Sequence, residues 1–287
     1  MACDWLFIDG SSLIFRAFYG VPKSVKSPDG RLINAGRGFL ETLTRLLGTR
    51  DPRHLAVASD ADWRPDWRVE LIPGYKAQRV AEPIPPGLSP QMPVIDAFLA
   101  AIGIDRQGVT DYEAEDVIST WTAKASGTVE IVSGDRDLFA LIEDPRVRVL
   151  YPEKGAWGGV DEAEVTRRYG IPGRRYADFA MLRGDPSDGL PGLKGVGAVA
   201  AASMIRQYGG VAAILDAHRL SEHDQDYLTR AQRVVPPVPD LPIALPEGRR
   251  ARYPADPETL NVLMAEYGLQ AASSRLVEAL TEHLRVS

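Results

Sequence analysis

The chain has 287 residues, 45% of them hydrophobic, and a formal net charge of −6. This length and composition suffice for a full hydrophobic core in one large domain or two small ones. No run approaches the roughly 18 apolar residues of a membrane span, so we expect a cytoplasmic protein with no membrane partner. The one cysteine, Cys3, excludes a disulfide framework and a cysteine zinc site, and four scattered histidines argue against a histidine metal site.

Apolar strand-like runs alternate with longer helical patterns along the chain. This alternation predicts an α/β fold with a mainly parallel sheet flanked by helices. The runs at residues 5–9, 54–60 and 128–135 each stop at an aspartate, and these are Asp9, Asp60 and Asp135. Because ligands bind outside the carboxyl ends of strands in open parallel sheets, we expect the three acids to converge on one rim.

Two segments have the spacing of amphipathic helices, at residues 39–47 and 95–102. Between them, the segment 61–93 is rich in Arg, Pro and aromatic residues. It is too long for an ordinary connection, and excursions of this kind are typically functional or disordered.

More acids occur in DYEAEDVISTW, where an apolar run begins at Val117. The acids of this stretch therefore lie at a helix N-terminus. Helix capping is an alternative explanation, since Thr110 and Glu113 have the spacing of a capping box and acids in a first turn favour the helix dipole. The capping alternative applies to Glu113, Glu115 and Asp116. Three further acids could instead be ordinary turn residues, and these are Asp137, Asp185 and Asp188.

Together these positions would gather nine carboxylates at the strand ends and helix starts of one sheet. Two like charges about 4 Å apart repel by roughly 4 kcal/mol at an effective dielectric of about 20, so such a cluster calls for divalent cations. All-oxygen ligands favour hard ions, Mg²⁺ or Mn²⁺, and nine acids suggest two ions or more. Leaving these nine out of the formal charge of −6 makes the remainder +3, which removes an objection to a nucleic-acid partner. Paired hard ions on an acidic rim are typical of phosphodiester hydrolysis.

The stretch GDPSDGLPGLKGVG at residues 184–197 joins two of these acids to a glycine-rich turn. Gly192, Gly195 and Gly197 allow close approach of a phosphate, and the sequence AVAAASMIRQYG predicts a helix that begins at the turn. A tight helix-to-helix connection explains the same pattern. The neighbouring acids favour phosphate binding.

Six ordered blocks of the sequence resemble the bacterial 5′-nuclease (flap endonuclease) family, which occurs as stand-alone proteins and as the 5′-exonuclease domain of DNA polymerase I. The blocks are FIDGSSLIFRAFYG, SDADWR, WRVELIPGYKAQR, YEAEDVIST, SGDRD and GDPSDGLPGLKGVG. The resemblance implies a PIN-like core over residues 1–170, with a helical arch within 61–93. It also implies a helix-two-turn-helix DNA-binding element, with a return segment and closing helices, over residues 171–287.

The resemblance further implies a role for each matching residue. One metal would take Asp9, Asp60, Glu113, Glu115 and Asp116, a second Asp135, Asp137, Asp185 and Asp188, with Asp116 also serving catalysis between the two ions. Lys76 and Arg79 would clamp the scissile phosphate, with Arg68 and Tyr75 beside them on the DNA. Lys194, Gly195 and Gly197 would hold the uncut duplex, and Ser187 would match the region that binds a monovalent cation, K⁺.

The expected activity is two-metal hydrolysis of DNA at 5′ flaps, nicks or 5′ ends by a monomer, giving 5′-phosphate and 3′-hydroxyl products. The alternatives are a catalytically silent junction-binding module and a PIN-type ribonuclease. The sequence departs from the family pattern at three places. Glu115 replaces the usual Asp, Gly189 replaces a frequent Asn, and AVAA follows Gly197 where many relatives have Lys and Thr.

Overall fold

A six-stranded sheet forms the centre of the computed structural model, which describes residues 3–81, 84–217 and 220–286. The strand order is β3-β2-β1-β4-β5-β6, in which neighbours from β3 to β5 are parallel and β6 is antiparallel to β5. The predicted α/β fold with a mainly parallel sheet is therefore confirmed. The strands are β1 (Cys3–Asp9), β2 (Pro52–Ala58), β3 (Asp105–Gln107), β4 (Val129–Val132), β5 (Val147–Glu153) and β6 (Ala156–Val160).

Helices cover both faces of the sheet and continue beyond β6. Among the described residues, none of them is both long enough and apolar enough to span a membrane. The helices are α1 (Gly10–Gly20), α2 (Asn34–Arg50), α3 (Asp66–Leu71), α4 (Gln78–Ala81), α5 (Met92–Ile102), α6 (Ala114–Lys124), α7 (Glu162–Tyr169), α8 (Tyr176–Arg183), α9 (Ala198–Tyr208), α10 (Val211–Asp216), α11 (Glu222–Val234), α12 (Pro257–Tyr267) and α13 (Gln270–Val286).

Alternation along β1 divides the core into two apolar layers. Phe7 points into one layer, where it meets Trp121 of α6, and Leu6 points into the other, where α1, α2 and α5 pack. Successive side chains of a strand point to opposite faces, so one buried strand serves both layers. The two amphipathic patterns predicted from sequence are the buried faces of α2 and α5.

The sheet has a topological switch point between β1 and β4. The chain runs outward from β1 through β2 to β3, and then returns to place β4 on the other side of β1. Connections that leave a parallel sheet in opposite directions open a crevice beyond the carboxyl ends of the two strands. The ends of β1 and β4 at this crevice are Asp9 and Val132.

After β6, helices α8 to α11 pack together, and the 184–197 connection joins α8 to α9. A return segment, residues 235–256, then has no helix or strand and runs along α6, where Leu241 N donates to Thr120 Oγ1 at 3.2 Å. It leads to α12 and α13. Helix α13 packs on α2, and its Leu276 is fully buried in the layer that contains Leu6. The C-terminal helices thus complete the N-terminal core.

The long segment 61–93 contains α3, α4 and a 3₁₀ turn, Ser89–Gln91. Residues 82 and 83 of this predicted arch region lie outside the described residues. Its middle part docks on the 184–197 connection, because Lys76 N donates to the Asp188 carbonyl at 3.0 Å. The segment therefore brings its basic residues to the carboxyl edge of the sheet.

Candidate active site

The turn DGSS after β1 ties three strand ends together. Asp9 is the N-cap of α1 and accepts a hydrogen bond from Ser12 N at 3.0 Å. Ser11 Oγ accepts from Asp60 N after β2, and Ser12 Oγ accepts from Gly134 N after β4, each at 3.0 Å. Small hydroxyl side chains at a helix N-terminus thus fix the loops that carry the predicted acids.

Ser133 links the first strand to the acids after β4, and sequence reasoning did not single it out. Its hydroxyl donates to Asp9 and accepts from Asp135 N at 2.8 Å. Asp135 Oδ1 in turn accepts from Asp137 N at 2.9 Å. The available signal was its position, since it ends the β4 run and precedes a glycine and an aspartate. These bonds hold Asp9 and Asp135 at the switch point.

The acids of DYEAED lie at the start of α6, as predicted. The capping alternative is confirmed, but with Glu113 rather than Thr110 as the N-cap: Glu113 and Asp116 form a capping box, in which Glu113 N donates to Asp116 at 3.1 Å. Asp60 Oδ1 accepts from Ala114 N at 2.8 Å, so an acid from the neighbouring strand satisfies one of the free N–H groups of the helix. Asp60, which is 54 residues away along the chain, thus helps to fix the start of α6. The local sequence spacing alone suggests a start three residues earlier.

Three acids form a group that fits a divalent cation. One carboxylate oxygen from each of Glu115, Asp135 and Asp137 lies within 4.8 Å of the other two. Burial raises the pKa of all three groups, and the charge of Asp135 adds to the increase at Asp137. Buried acids that cannot all ionise together gain most from a hard cation, and the all-oxygen donor set suits Mg²⁺ or Mn²⁺.

Asp9 extends this acidic region toward β2. Burial, reinforced by the charge of Asp60, raises the pKa of Asp9 to about 7. Burial also raises the pKa of Asp60, with Glu113 as the next contributor. The cluster therefore resists ionisation until a cation compensates it.

The raised pKa of Asp9 predicts that the metal-free protein becomes less stable as pH rises. Between about pH 4 and pH 7 the folded Asp9 holds a proton that the unfolded chain has released, so the free energy of unfolding falls as pH rises and stays low above pH 7. We expect a melting temperature at pH 8 that is lower than at pH 5 by about 2 °C or more. Because Mg²⁺ binds ionised carboxylates, it should raise the melting temperature more at pH 8 than at pH 5.

Thermal unfolding in EDTA and in Mg²⁺ at the two pH values measures both effects. Asp9→Asn removes the group whose pKa is about 7 and should reduce the metal-free slope. An equal Mg²⁺ effect at the two pH values would contradict a cation bound to these acids.

A basic cluster surrounds Glu113 on the other side of the acids. Its Oε2 accepts from Arg68 Nη1 and from the Tyr75 hydroxyl, both at 2.6 Å, and its Oε1 lies 2.5 Å from Lys76 Nζ and 3.2 Å from Arg79 Nη1. Burial alone would raise the pKa of Glu113, but the Lys76 and Arg68 charges outweigh it and hold that pKa below its usual range. Glu113 therefore acts as the anchor of the basic residues.

Arg68 and Asp116 lie deeper than the resemblance implies. Arg68 is fully buried and makes a two-pronged contact with Asp116, at 3.0 and 2.7 Å. Asp116 Oδ1 also accepts from Val238 N of the return segment at 2.9 Å. Both carboxylate oxygens of Asp116 are engaged, Arg68 has no exposed surface to offer to DNA, and neither side chain lines the cleft. We assign both residues to positioning.

The connection after α8 supplies the last two acids. Asp188 approaches Lys76 Nζ at 3.8 Å, whereas Asp185 accepts from Ser187 N at 3.0 Å and from Arg183 Nη2 at 3.1 Å. Ser187 lies in this turn beside the acids, not in the exposed turn that follows. Asp188 therefore lines the cleft, whereas Asp185 is bonded within the turn and is not among the lining residues.

The exposed turn contains the predicted duplex-binding residues Lys194, Gly195 and Gly197. Gly197 is the N-cap of α9, and it has no side chain to cap the helix. Residues 197–200 are exposed, so the unbonded backbone N–H groups at the start of α9 are open to solvent.

These elements enclose a cleft of about 550 Å³. Asp137 is not among the lining residues but belongs to the acid group with Glu115 and Asp135. Asp116 and Asp185 do not line the cleft. The cleft also contains aromatic and polar residues that sequence reasoning did not assign, among them Trp63, Gln78, Arg136 and Tyr151. Six of the nine predicted acids line it, namely Asp9, Asp60, Glu113, Glu115, Asp135 and Asp188.

Comparison with known proteins accounts for this arrangement. A family model described as the 5′-3′ exonuclease N-terminal resolvase-like domain matches residues 4–170, and one described as the 5′-3′ exonuclease C-terminal SAM fold matches residues 171–235. The chain belongs to the 5′-3′ exonuclease family. Two relatives in this family are matched over nearly their whole length.

A 5′-3′ exonuclease of Streptomyces coelicolor is 48% identical and is matched over 96% of this chain and 100% of that protein. One from Mycobacterium tuberculosis is 40% identical over 98% of both chains. DNA polymerase I of Mycobacterium bovis is 39% identical over 74% of this chain but only 24% of the polymerase. Among solved structures, a bacteriophage T5 flap endonuclease complex with DNA and metal ions shares the fold, with a TM-score of 0.64, 18% identity, and coverage of 98% of this chain and 99% of that one.

The structure shows the surroundings of two residues that depart from the family pattern, Glu115 and Gly189. Glu115 stands where the family usually has Asp, and its longer side chain still reaches Asp135 and Asp137. Gly189 has a φ of +68°, and a Cβ added there would lie 1.9 Å from the Gly74 carbonyl oxygen. A side chain such as the family's Asn would therefore push apart the docked 61–93 segment and the 184–197 connection.

Proposed function

We propose that this exonuclease hydrolyses DNA phosphodiesters at 5′ flaps, nicks or 5′ ends and leaves 5′-phosphate and 3′-hydroxyl products. The observation that carries the proposal is the cleft itself, where a buried acid group at the sheet's switch point faces Lys76 and Arg79. An acidic floor beside cations is suited to a phosphodiester held by metal ions and neutralised by basic side chains. The DNA and metal ions of the T5 complex support this substrate class.

The ions we propose are Mg²⁺ or Mn²⁺, two or more, held by the trio Glu115, Asp135 and Asp137 and by Asp9 and Asp60 around it. When bound, such ions would stabilise the attacking and leaving oxygens of an in-line displacement. Asp188, whose carboxylate lies beside Asp137, would add to this donor set, and K⁺ near Ser187 stays a prediction. Raised pKa values and an all-oxygen donor set support the divalent ions.

The residues of the chain have separate tasks in this scheme. Arg79 has 29% of its side chain exposed to the cleft and is the cation best placed to meet a substrate phosphate. Lys76 is buried between Glu113 and Asp188, where its charge offsets the acids. Tyr75 holds Glu113 through its hydroxyl. The exposed Lys194, Gly195 and Gly197 would hold the backbone of the uncut duplex.

We further propose that the enzyme acts as a monomer and in the cytoplasm, where the DNA of its bacterial relatives lies. Nuclease relatives that include DNA polymerase I support a task in replication or repair.

The test is cleavage of a 5′-labelled DNA flap with Mg²⁺, Mn²⁺ or EDTA, beside a matched RNA flap. We expect cuts near the junction with either ion, none in EDTA, and a strong preference for DNA. Tight flap binding without cutting at any metal would instead identify a silent junction reader. Preference for the RNA flap would identify a ribonuclease.

A further inference from the structure

The ring of Tyr75, which the resemblance placed on the DNA, is not available for base stacking in the structure. Tyr75 is 2% exposed, and its hydroxyl is bound to Glu113. Its ring is enclosed with two buried cations, 5.7 Å from the Arg68 guanidinium and 4.9 Å from Lys76 Nζ. A nucleobase has no route to this ring. Any stacking in the cleft must use another aromatic side chain.

Trp63 lines the cleft itself, together with Asp60 and Arg79, and it is half-buried. The loop on each side of it is fixed. Asp62 N donates to the Tyr112 carbonyl at 3.3 Å, and Arg64 Nε donates to the Tyr75 carbonyl at 2.8 Å. An aromatic side chain on a loop held at both ends loses little conformational freedom when it binds a ligand.

Arg79 places a phosphate-binding cation directly beside this indole. Its Nη1 donates to the Trp63 carbonyl at 2.5 Å and to Glu113 at 3.2 Å, and its guanidinium lies 5.8 Å from the centre of the Trp63 ring. Adjacent phosphates in a single strand are separated by one nucleotide. A phosphate on Arg79 therefore brings a neighbouring base within reach of Trp63.

The second tryptophan of the same segment provides a contrast. Trp67 donates its Nε1 to the Asp111 carbonyl at 3.0 Å, packs against Tyr112 at 6.0 Å and is outside the cleft lining. Its polar and apolar surfaces are both used by the fold. Trp63 is the tryptophan that the fold leaves facing the acids.

We propose that Trp63 stacks on a nucleobase next to the phosphate held in the cleft and so positions the strand for cutting. This inference rests on the proposed function. Stacking on an indole tolerates any base because every base has a π-face, so Trp63 would position DNA without reading its sequence. The chemical class it recognises is an unpaired nucleobase on the single-stranded side of a junction.

The experiment combines changes in the protein with changes in the DNA. Trp63→Ala, Trp63→Phe and Trp63→Leu are compared with wild type on flaps that carry an abasic residue at either nucleotide flanking the cut bond. Single-turnover cleavage is measured in Mg²⁺. Affinity is measured by fluorescence anisotropy in Ca²⁺, which also takes oxygen ligands. Trp157→Ala is the matched control, since Trp157 lies outside the cleft and contacts Arg16 at 5.7 Å.

We expect Trp63→Ala to lose roughly 5- to 150-fold in cleavage or affinity on intact DNA, the range for one base–aromatic stack. Removing the stacked base should cost wild type and Trp157→Ala a similar factor and cost Trp63→Ala almost nothing, because the two losses report one contact. Trp63→Phe should retain much of the effect and Trp63→Leu little, which separates stacking from packing.

A Trp63→Ala protein that remains as sensitive to the abasic residue as wild type overturns the inference. Equal behaviour of the Phe and Leu variants does the same, and these two keep the test valid if the alanine variant does not fold. If wild type cuts none of the DNAs, the proposed function fails, while the anisotropy comparison still decides whether Trp63 stacks on a base.

Discussion

Changing Asp135 to asparagine is expected to abolish flap cleavage while leaving flap binding nearly intact. Asparagine retains the shape of the side chain and an oxygen that can accept from Asp137 N, so the loop geometry should persist. It removes one charge from the group formed with Glu115 and Asp137. We expect the rate to fall at least about a hundredfold, the loss typical of removing one contributor to a preorganised electrostatic site.

The same substitution should make the metal-free protein more stable at pH 8. Burial and the charge of Asp188 both raise the pKa of Asp135, so its ionised form is unfavourable there without a cation. We expect a melting temperature in EDTA about 2 °C or more above wild type, with a smaller rise on adding Mg²⁺. The control is Asp240→Asn on an exposed aspartate, which should change neither rate nor stability. Retained cutting by Asp135→Asn would remove Asp135 from the site.

Replacing Arg68 by methionine is expected to be the most destabilising single change around the cleft. Methionine keeps the length and flexibility of the side chain but leaves Asp116 without its buried ion-pair partner and takes one cation away from Glu113. Breaking a buried ion pair from one side costs about 3–5 kcal/mol because an uncompensated charge remains. The substitution also removes the bond from Arg68 Nε to the Val234 carbonyl at 3.1 Å.

Urea unfolding of the metal-free protein measures this cost. Arg167→Met is the matched control, because Arg167 pairs with Glu164 at the surface with 69% of its side chain exposed. Exposed pairs contribute about 0–1 kcal/mol, so the control should unfold near the wild-type midpoint. Arg68→Lys should fall between the two, since lysine keeps the charge but cannot form the two-pronged contact with Asp116. A near-neutral Arg68→Met would mean that these acids are protonated in the folded protein.

Much of the acid site could be predicted from sequence because its parts are local. Asp9, Asp60 and Asp135 each follow a buried apolar run, and in a parallel sheet such ends share one edge. The acids of DYEAED precede a helical pattern and lie at the start of α6. The order of the strands was not needed to place these groups together.

The placement of the basic and aromatic residues could not be predicted in the same way. Whether Arg68 and Tyr75 face solvent depends on Glu113, 45 and 38 residues away along the chain. The sequence assigned both to DNA, and only their contacts with Glu113 at the start of α6 show that they are buried. The sequence also offers no reason to single out Trp63. Nothing in DADWRPDW shows that the first tryptophan faces the cleft and the second does not.

The packing of α13 on α2 has a consequence for any shortened form of this exonuclease. The family models end at residue 235, yet Leu276 and Leu280 lie in the same layer as Leu43. A fragment trimmed to the matched region would expose an apolar surface on α2, on the other side of the sheet from the 194–197 turn. Such a fragment could retain every acid of the site and still aggregate. A loss of activity on trimming would then reflect lower solubility and not the loss of a catalytic group.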